Sequence, residues 1–203
     1  MRRFRHRRIE RTRLVKPAMN TPDSLLSTDP EVIVFNLKQR YTGVSATINA
    51  LVPLQAKQWR LGFCGTRMSN GIDGMTLGQA IALSRQPPAG RSFRIWHVRR
   101  DPEMVAAIFA RDVLRLPIKL VFTSAAQHLH GRFPRWLISK MDAVISTTPL
   151  AASFVPNTTA VVPHGIDLSR FSPPPDKLTA WADSGLPGQY GIGVFGRVRP
   201  DKG

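Results

Sequence analysis

Residues 32–52 read VIVFNLKQRYTGVSATINALV, and this stretch sets the class of fold. An apolar run at 32–35, rich in β-branched side chains, gives way to a polar loop over 36–43 that closes on Gly43. Beyond it Val44, Ile48, Leu51 and Val52 recur on one helical face. Strand, glycine loop and helix in that order make the first half of a βαβ unit.

The alternation continues downstream. Residues 59–63 predict a second strand, 65–74 a glycine-rich polar loop and 76–84 a short helix. Pro87 and Pro88 break any helix, and residues 93–97 resume an extended run. Asp101 followed by Pro102 offers an N-cap acceptor and a proline at the first helical position; Val105, Ile108, Phe109, Val113 and Leu116 then fall on one stripe. Further strands are predicted at 119–123, 143–147 and 159–162, with a short helix over 133–140. The strands are nearly continuous apolar runs, as expected of an α/β parallel sheet with helices on both faces.

The chain has 203 residues, with 29 Lys and Arg against 13 Asp and Glu, a formal charge of +16. Its 42% apolar content, with four Trp and ten Phe, suffices for a buried core and excludes a wholly disordered, collagen-like or disulfide-scaffolded chain. Cys64, the single cysteine, cannot form an internal bridge, which agrees with a reducing compartment. No apolar run approaches the roughly 20 residues of a membrane span, and no secretory apolar region follows the basic N-terminus. These features read as a cytoplasmic protein, soluble or peripheral at a membrane.

The charge is unevenly placed. Residues 1–18 hold Arg2, Arg3, Arg5, Arg7, Arg8, Arg11, Arg13 and Lys16 against Glu10, a net +7. This segment is either an arm for phosphate-rich partners or a solvated tail, including translated sequence ahead of a start at Met19. A second basic zone, residues 85–140, carries a net +8 inside the folded part. After Pro163 a turn over 164–167 and the stiff run Ser172-Pro173-Pro174-Pro175 lead toward residues 191–195, which read as the first strand of a new unit. One strand cannot bury both its faces, so a truncated second domain is expected.

In an open parallel sheet, ligands bind beyond the carboxyl ends of the strands, where helix N-termini and free amides gather. Gly43 lies there, where it either admits a phosphate to backbone amides or serves plain turn chemistry. His97, Arg99 and Arg100 follow the 93–97 strand: the arginines can fork onto carboxylate or phosphate, and His97 either titrates near neutrality, donates to an anion, or caps the strand end. Thr123, Ser124, Gln127, His128 and His130 follow the 119–123 strand, either as hydrogen-bonding partners for sugar hydroxyls or as a solvated loop. Two histidines at i and i+2 without Cys or acid lack zinc-ligand grouping, so no metal site is expected. Neither G-x-S-x-G nor G-x-x-x-x-G-K-[ST] occurs, and Gly191 and Gly193 precede the apolar run that a dinucleotide fingerprint would follow. Arg197 and Lys202, on the loop after the last run, can bracket a diphosphate, or else belong to a solvated basic turn.

Val162-Pro163-His164-Gly165-Ile166-Asp167-Leu168-Ser169-Arg170-Phe171-Ser172-Pro173, followed by Gly196-Arg197 and Lys202-Gly203, resembles the interdomain segment and donor loop of the retaining glycosyltransferases of family 4. Within that family, Ile95-Trp96-His97-Val98-Arg99-Arg100 and Val121-Phe122-Thr123-Ser124-Ala125-Ala126-Gln127 are similar to the lipopolysaccharide core mannosyltransferases of alphaproteobacteria. The likeness spans residues 32–203. It implies a GT-B architecture, two Rossmann-like domains across a cleft, of which this chain supplies the N-terminal, acceptor-binding one. The implied division is a basic disordered arm over 1–30, the acceptor domain over 31–171, a linker over 172–190, and the first strand and donor loop of a truncated domain over 191–203.

The resemblance further implies that Arg197 and Lys202 hold the donor diphosphate, approached by the Gly43 loop, with no metal or cofactor. The substrate would be a nucleotide sugar, GDP-mannose. The acceptor would be an anionic lipid-linked saccharide met at the inner-membrane surface and bound by His97, Arg99, Arg100, Thr123, Ser124 and Gln127. Two positions depart from the pattern. Thr123 stands where many members carry a histidine, so a catalytic role falls among His97, His128 and His130; His164 stands where asparagine is common. The rival reading is a non-catalytic basic α/β module that holds nucleic acid or another polyanion. No basic surface interleaved with aromatics and no recognised motif supports it, so no specific nucleic-acid partner is expected.

Overall fold

The computed structural model describes residues 26–69, 71–155, 157–165 and 171–193. The chain divides into two compact units, Met1–His164 and Gly165–Gly203. The first holds one six-stranded sheet, built from β1 (Val32–Asn36), β2 (Leu61–Gly65), β3 (Arg94–Val98), β4 (Ile118–Ser124), β5 (Ala143–Ser146) and β6 (Ala160–Val161) in the order β2-β1-β3-β4-β5-β6. Every pairing is parallel. The helices between the strands are α1 (Gly43–Gln55), α2 (Leu77–Leu83), α3 (Asp101–Ile108), α4 (Arg132–Ser139) and α5 (Pro149–Ser153). The α/β, Rossmann-like class read from the sequence is the one observed.

Strand pleating splits the core in two. Ile33 and Phe35 face a cluster that contains Ala80 of α2, Met104 and Ala107 of α3, and Leu137 and Ile138 of α4. Val34, on the other face, packs with Leu61, Phe63 and the α1 residues Ile48 and Val52. Helix α1 therefore covers one face and α2, α3 and α4 the other, as right-handed crossovers require when one connection runs toward β2 and the rest toward β6. Cys64 is fully buried, and that burial, with the Glu103 charge beside it, pushes its thiol up to about 12. It is an inert core group.

Local chemistry explains the element ends. Thr76 caps α2 in a reciprocal box: its hydroxyl accepts from the Gln79 amide at 3.2 Å while the Gln79 side chain accepts from the Thr76 amide at 2.7 Å. At the close of β2, Gly65 takes φ 152°, and a Cβ there would lie 2.3 Å from the Asn36 carbonyl oxygen, so only glycine lets β1 and β2 finish side by side.

Helix α3 corrects the sequence reading in two ways. Its N-cap is Arg100, with Asp101 and Pro102 inside the first turn. Its apolar stripe is also rotated: Met104, Ala107 and Ala110 are buried, whereas Val105, Phe109 and Val113 are 45%, 50% and 62% exposed. The cause is Glu103, 1% exposed, which must point inward to meet its donors. Two residues along an α-helix is a rotation of about 200°, so burying Glu103 turns Val105 outward. The helix then widens into one π-turn, Phe109–Val113, and ends where Arg115 adopts φ 55°.

Among the described residues Arg94 is the other charged side chain in the core, at 1% exposure. It donates to the carbonyls of Pro30 (2.7 Å), Leu83 and Gln86 (3.1 Å) and pairs with Asp29 at 2.8 Å, tying the chain entering β1 to the segment after α2. In the second unit, part of the expected 172–190 linker is a helix, α6 (Lys177–Asp183), capped by Asp176, with the Trp181 indole donating to the Gly188 carbonyl at 2.6 Å. The expected arm up to residue 25, the last two residues of the strand expected over 191–195, and the loop 196–203 lie outside the described residues. No described helix is long and apolar enough to cross a membrane.

Candidate functional site

Connections leave β1 toward one edge of the sheet and β3 toward the other, so the strand order reverses between them. With α1 and α3 on opposite faces, a crevice opens beyond the carboxyl ends of β1 and β3, the usual place for a ligand in such a sheet. Asn36 ends β1, Thr42 caps α1, and Arg100 caps α3.

One side chain spans this crevice. Arg100 Nη1 donates to Asn36 Oδ1 at 2.6 Å and to Glu103 Oε1 at 3.1 Å, while Nη2 donates to Thr42 Oγ1 at 2.8 Å and to Ser45 Oγ at 3.4 Å. Glu103 in turn accepts from the amides of Leu37 at 3.2 Å and Arg99 at 2.8 Å. The result is a satisfied ionic network that clamps the loop before α1 to the loop before α3. Arg100 was expected to bind acceptor; its terminal nitrogens are committed within the protein, and it acts as a clamp.

Arg99 is different. Its backbone serves Glu103, but its guanidinium Nε is buried without a hydrogen-bond partner. Burial, opposed by Glu103 and reinforced by the Arg100 charge, pulls this guanidinium below its ordinary value. A buried donor on a guanidinium is suited to hydrogen-bond an anion.

His97 and Thr123 belong together. The register sets His97 beside Val121, so His97 and Thr123 share the α1 face of the sheet, and His97 Nε2 lies 2.7 Å from Thr123 Oγ1. Burial, and then the Arg99 charge, push the imidazole down from 6.5 to about 3. His97 is therefore a neutral hydrogen-bonding group at neutral pH, which removes titration near neutrality from the alternatives its sequence position offered. Ser124 lies on the opposite face, buried, with its hydroxyl accepting from the Ala126 amide at 3.3 Å. The pleat thus separates Thr123 from Ser124, which the sequence reading had grouped. Gln127 and His128 lie exposed in the following loop, where the rings of His128 and His130 sit 6.3 Å apart and His130 Nε2 is buried without a partner. Among the described residues no group of three or more His, Cys, Asp or Glu could hold a metal.

Gly43 opens α1, and a Cβ built on it meets nothing within 4 Å. The space beside this residue is therefore open. Substitution of Gly43 by Ala is accordingly expected to leave the urea midpoint unchanged or slightly raised, since alanine is the better helix former by about 0.5–1 kcal/mol. A drop in stability of more than 1 kcal/mol would show that the space is filled. Lining the same end of the sheet, Asn36, Tyr41, Ser45, Asn49 and Arg67 border a small recess of about 50 Å³. The sequence reading missed Asn36, Thr42, Ser45 and Glu103. Their one signal was position: polar residues at a strand end or in the first turn of a helix. Arg197 and Lys202, expected to hold the diphosphate, lie outside the described residues.

Crevice and sheet order define a Rossmann-like α/β domain with polar and basic residues gathered at its switch point. No protein-family model matches the chain. Curated relatives do. The lipopolysaccharide core biosynthesis mannosyltransferase LpcC of Rhizobium leguminosarum bv. viciae is 42% identical over 176 residues, which is 86% of this chain and 50% of the relative. The lipopolysaccharide core biosynthesis mannosyltransferase LpsB of Rhizobium meliloti (strain 1021) is 44% identical over 179 residues, again 86% and 50%. The chain is thus similar, over most of its length, to these two lipopolysaccharide core mannosyltransferases and spans about half the length of each. Among solved structures, the Anabaena protein Alr3699/HepE, crystallised in complex with UDP-glucose, superposes with a TM-score of 0.55 over 75% of this chain and 49% of its own, at 8% identity. At that identity the likeness concerns the fold alone.

Proposed function

We propose that this chain is the acceptor-binding part of a retaining hexosyltransferase that moves mannose from GDP-mannose to an anionic, lipid-linked core saccharide of lipopolysaccharide at the cytoplasmic face of the inner membrane. The reading is supported by the two mannosyltransferase relatives and rests on one structural observation, the buried and unpartnered Arg99 Nε on a side chain whose charge acts on the neutral His97–Thr123 pair. Arg99 takes a carboxylate or phosphate of the acceptor, and His97 and Thr123 hydrogen-bond its hydroxyls.

In the transfer, the bond from the sugar's anomeric carbon to the phosphate oxygen breaks and one to the acceptor oxygen forms. The acceptor proton passes to the departing diphosphate, and GDP leaves. Retention follows from same-face attack or from two successive displacements. Arg197 and Lys202 are assigned to the diphosphate and Gly43 to its approach, with no metal required because the cations neutralise the leaving group.

The experiment is a titration of the chain with acidic core oligosaccharide released from lipopolysaccharide, followed by calorimetry. Saturable, salt-sensitive binding is expected, weakened about tenfold or more in Arg99→Ala, since a charge-assisted hydrogen bond is worth about 1.5–3 kcal/mol. No binding by the parent chain, or equal binding by the variant, defeats the reading. The chain alone is expected not to transfer mannose; measurable transfer would overturn its assignment as a part.

A further inference from the structure

Helix α4 is amphipathic with an unusual outer face. Leu137 and Ile138 are buried in the core, while Arg132, Phe133, Arg135, Trp136 and Lys140 are exposed, the two aromatics by 58% and 51%. Residues 125–141 contain no Asp or Glu. Just before the helix, Leu129 is 59% exposed. This is a basic surface interleaved with aromatics, which reading by composition alone did not find.

We infer that this face docks the protein on an anionic lipid surface. The inference rests on the reading of a lipid-linked acceptor and names the part of the molecule that meets the bilayer. Apolar tips at the centre with cations around them fit the boundary between headgroups and acyl chains, where Trp is favoured and Arg and Lys pair with lipid phosphates. The aromatic geometry favours a bilayer over nucleic acid. Phe133 and Trp136 stack on each other with centroids 6.1 Å apart and planes 20° apart, and the Lys140 ammonium sits 5.9 Å from the Trp136 centroid. Rings engaged with one another and with a cation form a wedge for insertion, whereas bases require free ring faces for stacking.

The test is co-sedimentation of the full chain with vesicles of phosphatidylcholine alone, and of phosphatidylcholine with an equal part of phosphatidylglycerol. Binding to the anionic vesicles and little to the neutral ones is expected. In the double variant Phe133→Ser, Trp136→Ser, affinity for anionic vesicles should fall about tenfold or more; in Arg132→Gln, Arg135→Gln it should fall about fivefold per cation removed. All four side chains are exposed, so melting temperatures should match the parent; should the aromatic pair fail to fold, the arginine pair decides. The basic segment 1–18 is present in every version and contributes an equal background. Unchanged vesicle affinity in both variants, equal binding to neutral vesicles, or loss of affinity for a single-stranded oligonucleotide but not for vesicles would each overturn the inference. Oligosaccharide binding through Arg99 takes place in free solution, so either reading can fail while the other stands.

Discussion

Substituting Glu103 by Ala is expected to destabilise the larger unit by about 3–5 kcal/mol, the range for removing one partner of a buried ion pair. Glu103 is 1% exposed, and its oxygens accept from Arg100 Nη1 and the amides of Leu37 and Arg99. Deletion leaves the Arg100 charge without its counter-charge and the two amides without their acceptor, although Asn36, Thr42 and Ser45 still receive the guanidinium. Glu103→Gln keeps the shape but turns amide hydrogens toward Arg100, so an intermediate loss is expected. The double variant Arg100→Met, Glu103→Leu should be less damaging than the two single substitutions together, because neither charge is then left alone. Urea unfolding measures all five variants, the two single substitutions included, and amide exchange at Leu37 reports whether the loop before α1 has loosened. A loss under 1 kcal/mol for Glu103→Ala would show that the network is not the clamp described.

Stability should also fall with pH below 6.5, in a window set by His97. Its folded value is about 3 against an ordinary 6.5, so between those limits the unfolded chain binds a proton that the folded one refuses. The stabilisation is complete above pH 6.5 and is lost as pH falls toward 3, with a slope approaching ~1.4 kcal/mol per pH unit. Asp29, held low by the Ala89 amide with Arg94 and Arg60, and Glu31, held low by Arg60 and Arg91, act in a more acid window that overlaps only the lower part of the His97 one. Their contribution is full above the ordinary values of 3.8 and 4.5 and lost below them. His97→Gln is therefore expected to flatten the stability profile between pH 6.5 and 5 while leaving the acid limb in place. Parallel profiles for parent and variant would mean that the imidazole protonates freely in the folded state.

Much of the sheet was legible because apolar runs and breakers are local signals. The short helix expected over 76–84 is α2 together with its two caps, and Pro87 and Pro88 place the break before β3. Helix α5 passed unread because five residues carry too little periodicity to register, although Thr148 caps it. The rotation of α3 was misread for a different reason: the helix is apolar on more than one side, and the residue that settles its phase is an acid. Nothing near Glu103 in sequence announces that its partners include the Leu37 amide, 66 positions away. The same distance problem governs the site. That its residues lie at strand ends was foreseeable, but telling Arg99 from Arg100 required knowing that Asn36 and Thr42 wait across the crevice for one of them. Thr123 and Ser124, by contrast, could have been parted from the strand's period of two alone.

The all-parallel sheet has a kinetic corollary. No ladder can form from a hairpin; each must wait until an intervening crossover has brought two distant segments together, so relative contact order is high and assembly is expected on the slower, millisecond-to-second scale. During that wait the strand rims lie open to other molecules. A two-residue β6 at one border leaves little there for an intruding chain to copy.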